Sequence, residues 1–230
     1  MEIEVLPSED AVARRAAAEI ADAIRRTVRR GRTFTFAVSG GRTPWRMLDH
    51  LAAHDLPWDR VHVTQVDERV APDDHADRNW THVRAHLGSR VPIPANQWHE
   101  MPVNHGDPER VAADYAATLA RIAGDPPVLD LVHLGLGTDG HTASLVPGDA
   151  ALASHDAVAA TAQYQGRRRV TLTFATLARA RRVLWVVTGE EKRDALARLV
   201  RGDAAIPAAR FRAKSALLLA DRAAAGHESR

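Results

Sequence analysis

Residues Asp130–Gly148, DLVHLGLGTDGHTASLVPG, decide the reading of the fold, because they set an apolar run directly before a glycine-rich turn and a histidine. Leu131, Val132, Leu134 and Leu136 have the pattern of a buried strand, and Gly135, Gly137 and Gly140 let the chain turn tightly after it. In open α/β sheets ligands bind beyond the carboxyl ends of the strands, which is where His141 falls. The spacing Gly135-x-Gly137-x-x-Gly140 also satisfies the dinucleotide-binding fingerprint. That fingerprint needs a long helix after the third glycine and an acidic residue closing the next strand about 20 residues on. Pro147-Gly148 cuts such a helix short, and Asp156 lies in an Ala-rich stretch without strand character. No Gly-Lys-Ser/Thr follows either glycine cluster, so a P-loop is excluded.

Working outward, the same strand, turn, helix order recurs. Ser8 with Glu9 and Asp10 predicts a helix start, and Val12, Ala16, Ile20, Ala23 and Ile24 supply an apolar stripe up to a stop at Gly31. Thr33–Ser39 reads as a strand, Gly40-Gly41 as a turn, and a helix runs from Pro44 through Leu48 and Leu51. Val61–Val66 is the next strand, ending at Asp67-Glu68-Arg69, and a polar loop then leads to a helix over Asn79–Leu87. A further helix is predicted over Asp107–Ile122, a half-buried strand over 169–174 (RVTLTF), a buried strand over Val183–Val187, a helix carrying Leu196, Leu199 and Val200, and a last strand over Ala216–Leu219. The terminal AAAGHESR is expected to fray. Strands alternating with helices predict an α/β fold of three layers, Rossmann-like, with a mostly parallel sheet covered by helices on both faces and residues 1–230 as a single domain. Ser39–Thr43, Asp67–Arg69 and Thr138–His141 each follow a strand, and are expected to converge at one sheet edge.

Bulk composition narrows the function classes. With 31 basic residues against 29 acidic ones the net charge is +2, and only Lys192 and Lys214 are lysines, so no nucleic-acid footprint is present. The absence of cysteine excludes disulfides, thiolate catalysis and Cys-type zinc sites. No cationic-then-apolar leader and no apolar run of membrane-spanning length is found, so a soluble cytoplasmic protein without a membrane partner is expected. His50/His54 and His82/His86 have i,i+4 spacing but lack the Glu of H-E-x-x-H, and no metal is assigned to them or to PDDHAD at 72–77. Ser144 lies in T-A-S-L-V rather than G-x-S-x-G, which removes the nucleophile elbow.

Ser39, Gly40, Gly41, Arg42 and Thr43 offer backbone N–H groups, hydroxyls and a helix N-terminus to an anion, although the same residues also describe an ordinary tight turn. Asp67 and Arg69, two apart, project to one side while Glu68 points away. They read either as a sugar-binding pair or as a local ion pair. His141, set in a polar turn with Asp139, Gly140 and Thr142, is the preferred general base, a role worth roughly 10²–10⁴-fold in rate. Lys192, opening a helix after Gly189, is a second cation within reach of a phosphate.

Taken together, SGGRTP at 39–44, DERVAPDDHADRNW at 67–80, GLGTDGHTASLVPG at 135–148, RVTLT at 169–173, GEEKRDAL and LLLAD closely resemble the 6-phosphogluconolactonase family, which is related to glucosamine-6-phosphate deaminase and ribose-5-phosphate isomerase. The resemblance implies a fold of the sugar-phosphate isomerase/deaminase/lactonase type and hydrolysis of 6-phospho-D-glucono-1,5-lactone in the oxidative pentose phosphate pathway, without a required cofactor. It implies catalytic roles for His141, Asp67 and Arg69, and substrate contact for Gly40, Gly41, Arg42, Thr43, Gly137, Asp139, Gly140, Arg169 and Lys192. The expected partner is a small phosphorylated sugar lactone, and the expected state a monomer or weak homo-oligomer. The related deaminases carry an acidic residue where this chain has Val146, and an aromatic residue where it has Arg69. Both departures favour the lactonase over a deaminase or isomerase. A non-catalytic sugar-phosphate sensor is the third reading, disfavoured by the intact Asp67, Arg69 and His141 set.

Overall fold

Alternation of side chains along each strand builds the core. A computed structural model describes residues 1–104 and 106–226. In chain order its elements are β1 (Glu2–Leu6), α1 (Glu9–Arg29), β2 (Phe34–Val38), α2 (Arg42–Ala52), β3 (Val61–Gln65), β4 (Asp67–Arg69), α3 (Asn79–Val83), α4 (Pro108–Ala123), β5 (Leu131–Leu134), β6 (Val158–Ala160), β7 (Arg169–Leu172), α5 (Phe174–Arg179), β8 (Val183–Val187), α6 (Arg193–Val200), β9 (Ala216–Asp221) and α7 (Arg222–Ala225). Six strands form a parallel sheet in the order β1-β9-β8-β5-β2-β3. Phe34, Phe36, Val38, Leu184, Val186, Leu217 and Leu219 pack on α1 and α2, whereas Ala37, Val183, Trp185, Val187, Leu218 and Ala220 pack on the opposite face with α4, α5 and α6. This period of two gives two apolar layers from one sheet.

Chain order reverses between β2 and β5. From β2 the chain steps outward to β3, and from β5 it steps the other way to β8, so the loops after β2 and β5 diverge and leave a crevice at their carboxyl ends. At Val66 the chain leaves the sheet. Its N–H still donates to Val38, but its carbonyl accepts from Leu172, which hands the chain to a second, antiparallel sheet of order β4-β7-β6. Asp67-Glu68-Arg69 is therefore not the frayed end of β3 but a strand of its own, aimed across the crevice.

Other differences from the sequence reading have local causes. β1, a strand the sequence reading does not include, pairs with β9 at the sheet edge. β6 lies in the Ala-rich stretch that shows no strand propensity; it forms because β7 supplies the partner. The RVTLTF strand stops at Leu172 and is buried throughout, since Phe174 already begins α5. α2 starts at Arg42, two residues before Pro44, and the helix from Asn79 changes to π geometry over Arg84–Gly88. Ala223–Ala225 of the predicted frayed tail end α7, which left-handed Gly226 closes, and residues 227–230 lie outside the described residues. No helix among the described residues is long and apolar enough to cross a membrane.

His133, fully buried on β5, ties the two central strands together at the crevice: its Nδ1 accepts the Ser39 N–H at 3.2 Å. Burial pulls this imidazole down to about 3, so it is neutral in the fold, with the proton on an Nε2 that has no protein partner among the described residues. The unfolded chain takes up that proton below about pH 6.5, whereas the fold resists until about 3. Stability that is complete above the unfolded value is therefore lost as the pH falls. Lowering the pH from about 7 to about 5.5 should cost about 1 kcal/mol from His133 alone, and His99, pulled down to about 4 chiefly by burial, acts in the same direction. Urea unfolding at the two pH values checks this; equal wild-type stability at both, or no loss of the slope in His133→Gln, contradicts it.

Candidate functional site

The crevice is a cavity of about 270 Å³. All three polar clusters reach it: Ser39–Thr43 from the end of β2, Asp67 and Arg69 from β4, and Gly137 with His141 from the turn after β5. Arg169 enters from β7 and Lys192 from the short 3₁₀ turn Glu190–Lys192 before α6. Among these lining residues four cations, Arg42, Arg69, Arg169 and Lys192, face two carboxylates, Asp67 and Glu191. Such a field suits a ligand with more than one negative charge.

His141 is held from behind. Its Nδ1 lies 2.6 Å from Asp139 Oδ1, and its backbone N–H donates to the same oxygen at 3.1 Å. Burial pushes the Asp139 carboxyl up, but the His141 backbone N–H, the imidazole and the Tyr164 hydroxyl outweigh it and hold the group below its ordinary value. An ionised Asp139 takes the Nδ1 proton as its hydrogen-bond donor and leaves the Nε2 lone pair for the cavity. Gly137 makes room for this pair. A Cβ there would stand 2.0 Å from His141 Nδ1 and 2.6 Å from Asp139 Oδ1, so any side chain displaces the ring.

Asp67 is oriented by a residue 77 positions away. Ser144 Oγ donates to Asp67 Oδ2 at 2.6 Å, and the Ser144 N–H donates to Thr171 Oγ1. Left-handed Ala143, at φ 53°, doubles the chain back to bring Ser144 there, a conformation costing on the order of 1 kcal/mol. Ser144 is itself buried, so its hydroxyl serves as a support and not as an exposed nucleophile.

Glu68 points away from the cavity and fixes the wall on the other side. Its carboxylate accepts from Gln65 Nε2, the Arg69 N–H, and the Asn79 and Trp80 N–H groups that open α3. Burial pushes this carboxyl up, partly offset by those four bonds. Asn79 Nδ2 in turn donates to the Asp67 carbonyl at 3.0 Å.

The sequence-predicted residues come together with two exceptions. Asp139 and Gly140 do not line the cavity: Asp139 stands behind His141, and Gly140 packs against Ile206 and accepts from the Ala208 N–H. The Thr43 hydroxyl is committed to Glu9 and Thr188, which leaves the backbone of the α2 N-terminus for an anion. Gly41 begins that helix at φ 136°, a conformation glycine tolerates and other residues rarely adopt. Arg69 donates to the Asp77 carbonyl, and Arg169, almost wholly buried, keeps an Nε without a protein partner among the described residues. Of the histidines with i,i+4 spacing, His82 and His86 stack with Trp45 and His50 bonds Asp10. Ser144, Tyr164, Glu68 and Asn79 were not assigned these supporting roles from sequence.

Known proteins share this architecture. A family model described as glucosamine-6-phosphate isomerases/6-phosphogluconolactonase matches residues 7–219. The chain is 36% identical to a 6-phosphogluconolactonase of Nostoc sp., covering 98% of this chain and 97% of the relative, and 37% identical to one of Synechocystis sp., covering 85% and 83%. The crystal structure of 6-phosphogluconolactonase from Thermotoga maritima superimposes with a TM-score of 0.87 at 26% identity, covering 96% of this chain and 99% of that one. Gly137→Ala tests the local geometry: the variant should fold but carry His141 swung away from Asp139, and a crystal structure of it with the 2.6 Å contact preserved contradicts the steric argument.

Proposed function

The chain belongs to the glucosamine-6-phosphate isomerase/6-phosphogluconolactonase family, and on that premise we propose that it hydrolyses 6-phospho-D-glucono-1,5-lactone to 6-phospho-D-gluconate, a step of the oxidative pentose phosphate pathway. The observation that carries the reading is an imidazole, backed by a carboxylate at 2.6 Å, facing a cavity with four cations. The relatives' shared name, 6-phosphogluconolactonase, supports it.

In this reading His141 Nε2 takes a proton from water as the water oxygen bonds to the lactone carbonyl carbon. The carbonyl oxygen becomes negative, and Arg69 or Arg169 stabilises it, a contribution of about 3–4 kcal/mol for a well-aimed donor. Collapse of that intermediate breaks the bond to the ring oxygen, which takes the proton back from His141. Asp67 accepts sugar hydroxyls, and the backbone of Gly40, Gly41 and Thr43, with Arg42 and Lys192, receives the phosphate. Gly137 gives the imidazole its place, while Asp139 and Gly140 act from behind the cavity. Water is the second reactant, and the partner is a single phosphorylated lactone. The reading takes residues 1–230 as one lactonase domain, cytoplasmic, and a monomer or weak homo-oligomer.

His141→Ala should keep its fold and lose roughly 10²-fold or more in kcat above the spontaneous rate; near-normal turnover removes His141 as base. Lys192→Ala and Arg69→Ala should each weaken 6-phosphogluconate binding about tenfold in calorimetric titration, and unchanged affinity rejects that residue's contact. Ammonia release from glucosamine 6-phosphate without lactone hydrolysis would favour the deaminase alternative instead.

A further inference from the structure

Tyr164 occupies the tip of the hairpin that joins β6 to β7. Its N–H donates to the Arg167 carbonyl and the Arg167 N–H donates back, around a two-residue turn in which Gln165 and Gly166 both have positive φ. That turn type matches the twist of antiparallel strands and fixes where the tip points. The opposite side of the tip is tethered as well, since Arg167 makes two bonds to Asp77 Oδ2, at 3.1 and 3.0 Å, next to the carbonyl that receives Arg69. A tyrosine placed by this turn is therefore held in one location.

Three contacts converge on its side chain. The hydroxyl donates to Asp139 Oδ2 at 3.1 Å, on the carboxylate whose other oxygen holds His141. The ring meets the His141 imidazole edge-on, with centroids 5.5 Å apart. The Arg169 guanidinium lies over the same ring, 5.0 Å from its centroid. Tyr164 does not line the cavity, so none of these contacts is with a ligand. Without the tyrosine, Asp139 Oδ2 would lose its one side-chain donor among the described residues, leaving the carboxylate freer to rotate away from the imidazole.

We infer that Tyr164 is a positioning residue that locks the Asp139–His141 pair through its hydroxyl and seats Arg169 through its ring. The inference rests on the reading of His141 as the base. It separates two functions on one side chain. The hydroxyl governs the orientation of the base and so acts on kcat, whereas the ring governs the placement of a cation at the cavity and so acts on substrate binding as well.

Paired variants read the two functions apart. Tyr164→Phe should lower kcat roughly fivefold to tenfold with KM changed by less than about twofold. Tyr164→Ala should lower kcat and also raise KM several-fold, because the platform under Arg169 is gone. A second readout needs no turnover: the Nδ1–H proton of His141, identified by its loss in His141→Ala, should shift and exchange faster with water in Tyr164→Phe. Wild-type kinetics together with an unchanged resonance in Tyr164→Phe would overturn the positioning role, even in an active lactonase. A resonance that responds in a protein with no lactone turnover would leave the positioning role standing and remove the lactonase reading.

Discussion

The gap between the diverging loops after β2 and β5 is the constraint on which the rest depends. A parallel sheet covered on both faces opens at its carboxyl edge where successive connections run in opposite directions, and the polar residues that follow β2 and β5 meet there. The gap is kept in shape by bonds that cross it. His133 on β5 accepts from Ser39 after β2, and Val66 bonds the main sheet on one side and the second sheet on the other. Because His133 is neutral and buried, this link adds no charge to a cavity whose lining holds four cations and two carboxylates.

Supports behind the cavity divide the electrostatic work. Buried Glu68 satisfies the opening N–H groups of α3 and locks the strand that carries Asp67 and Arg69. Ser144 fixes one oxygen of Asp67, and Asp139 fixes the tautomer of His141. Bonds to an ionised carboxylate are charge-assisted, and those of buried Asp67 are stronger than at an exposed surface. In the proposed chemistry the groups facing the ligand thus need not rearrange as charge develops on the lactone oxygen.

The buried strands β2, β5 and β8 were legible as short apolar runs, since strands covered on both faces show that pattern. The convergence of Ser39–Thr43, Asp67–Arg69 and Thr138–His141 was legible because each cluster directly follows a strand. β6 was not, because its alanines become a strand only when β7 is beside them. From sequence Ser144 reads only as a candidate nucleophile outside its motif; its bond to Asp67 depends on the left-handed turn at Ala143, which nothing local announces. Tyr164 reaches Asp139 across 25 residues, a pairing that a single sequence does not encode in any spacing. The Gln165-Gly166 turn before β7, both residues at positive φ, is the local feature that folds the chain back there.

A crystal structure with 6-phosphogluconate bound tests the proposed chemistry most directly. In it a carboxylate oxygen of the ligand should lie within hydrogen-bond reach of His141 Nε2, its phosphate among the cations and backbone N–H groups of the α2 N-terminus, and Asp139 still on His141 Nδ1. A ligand bound with its phosphate against His141 and its carboxylate turned to solvent would contradict it.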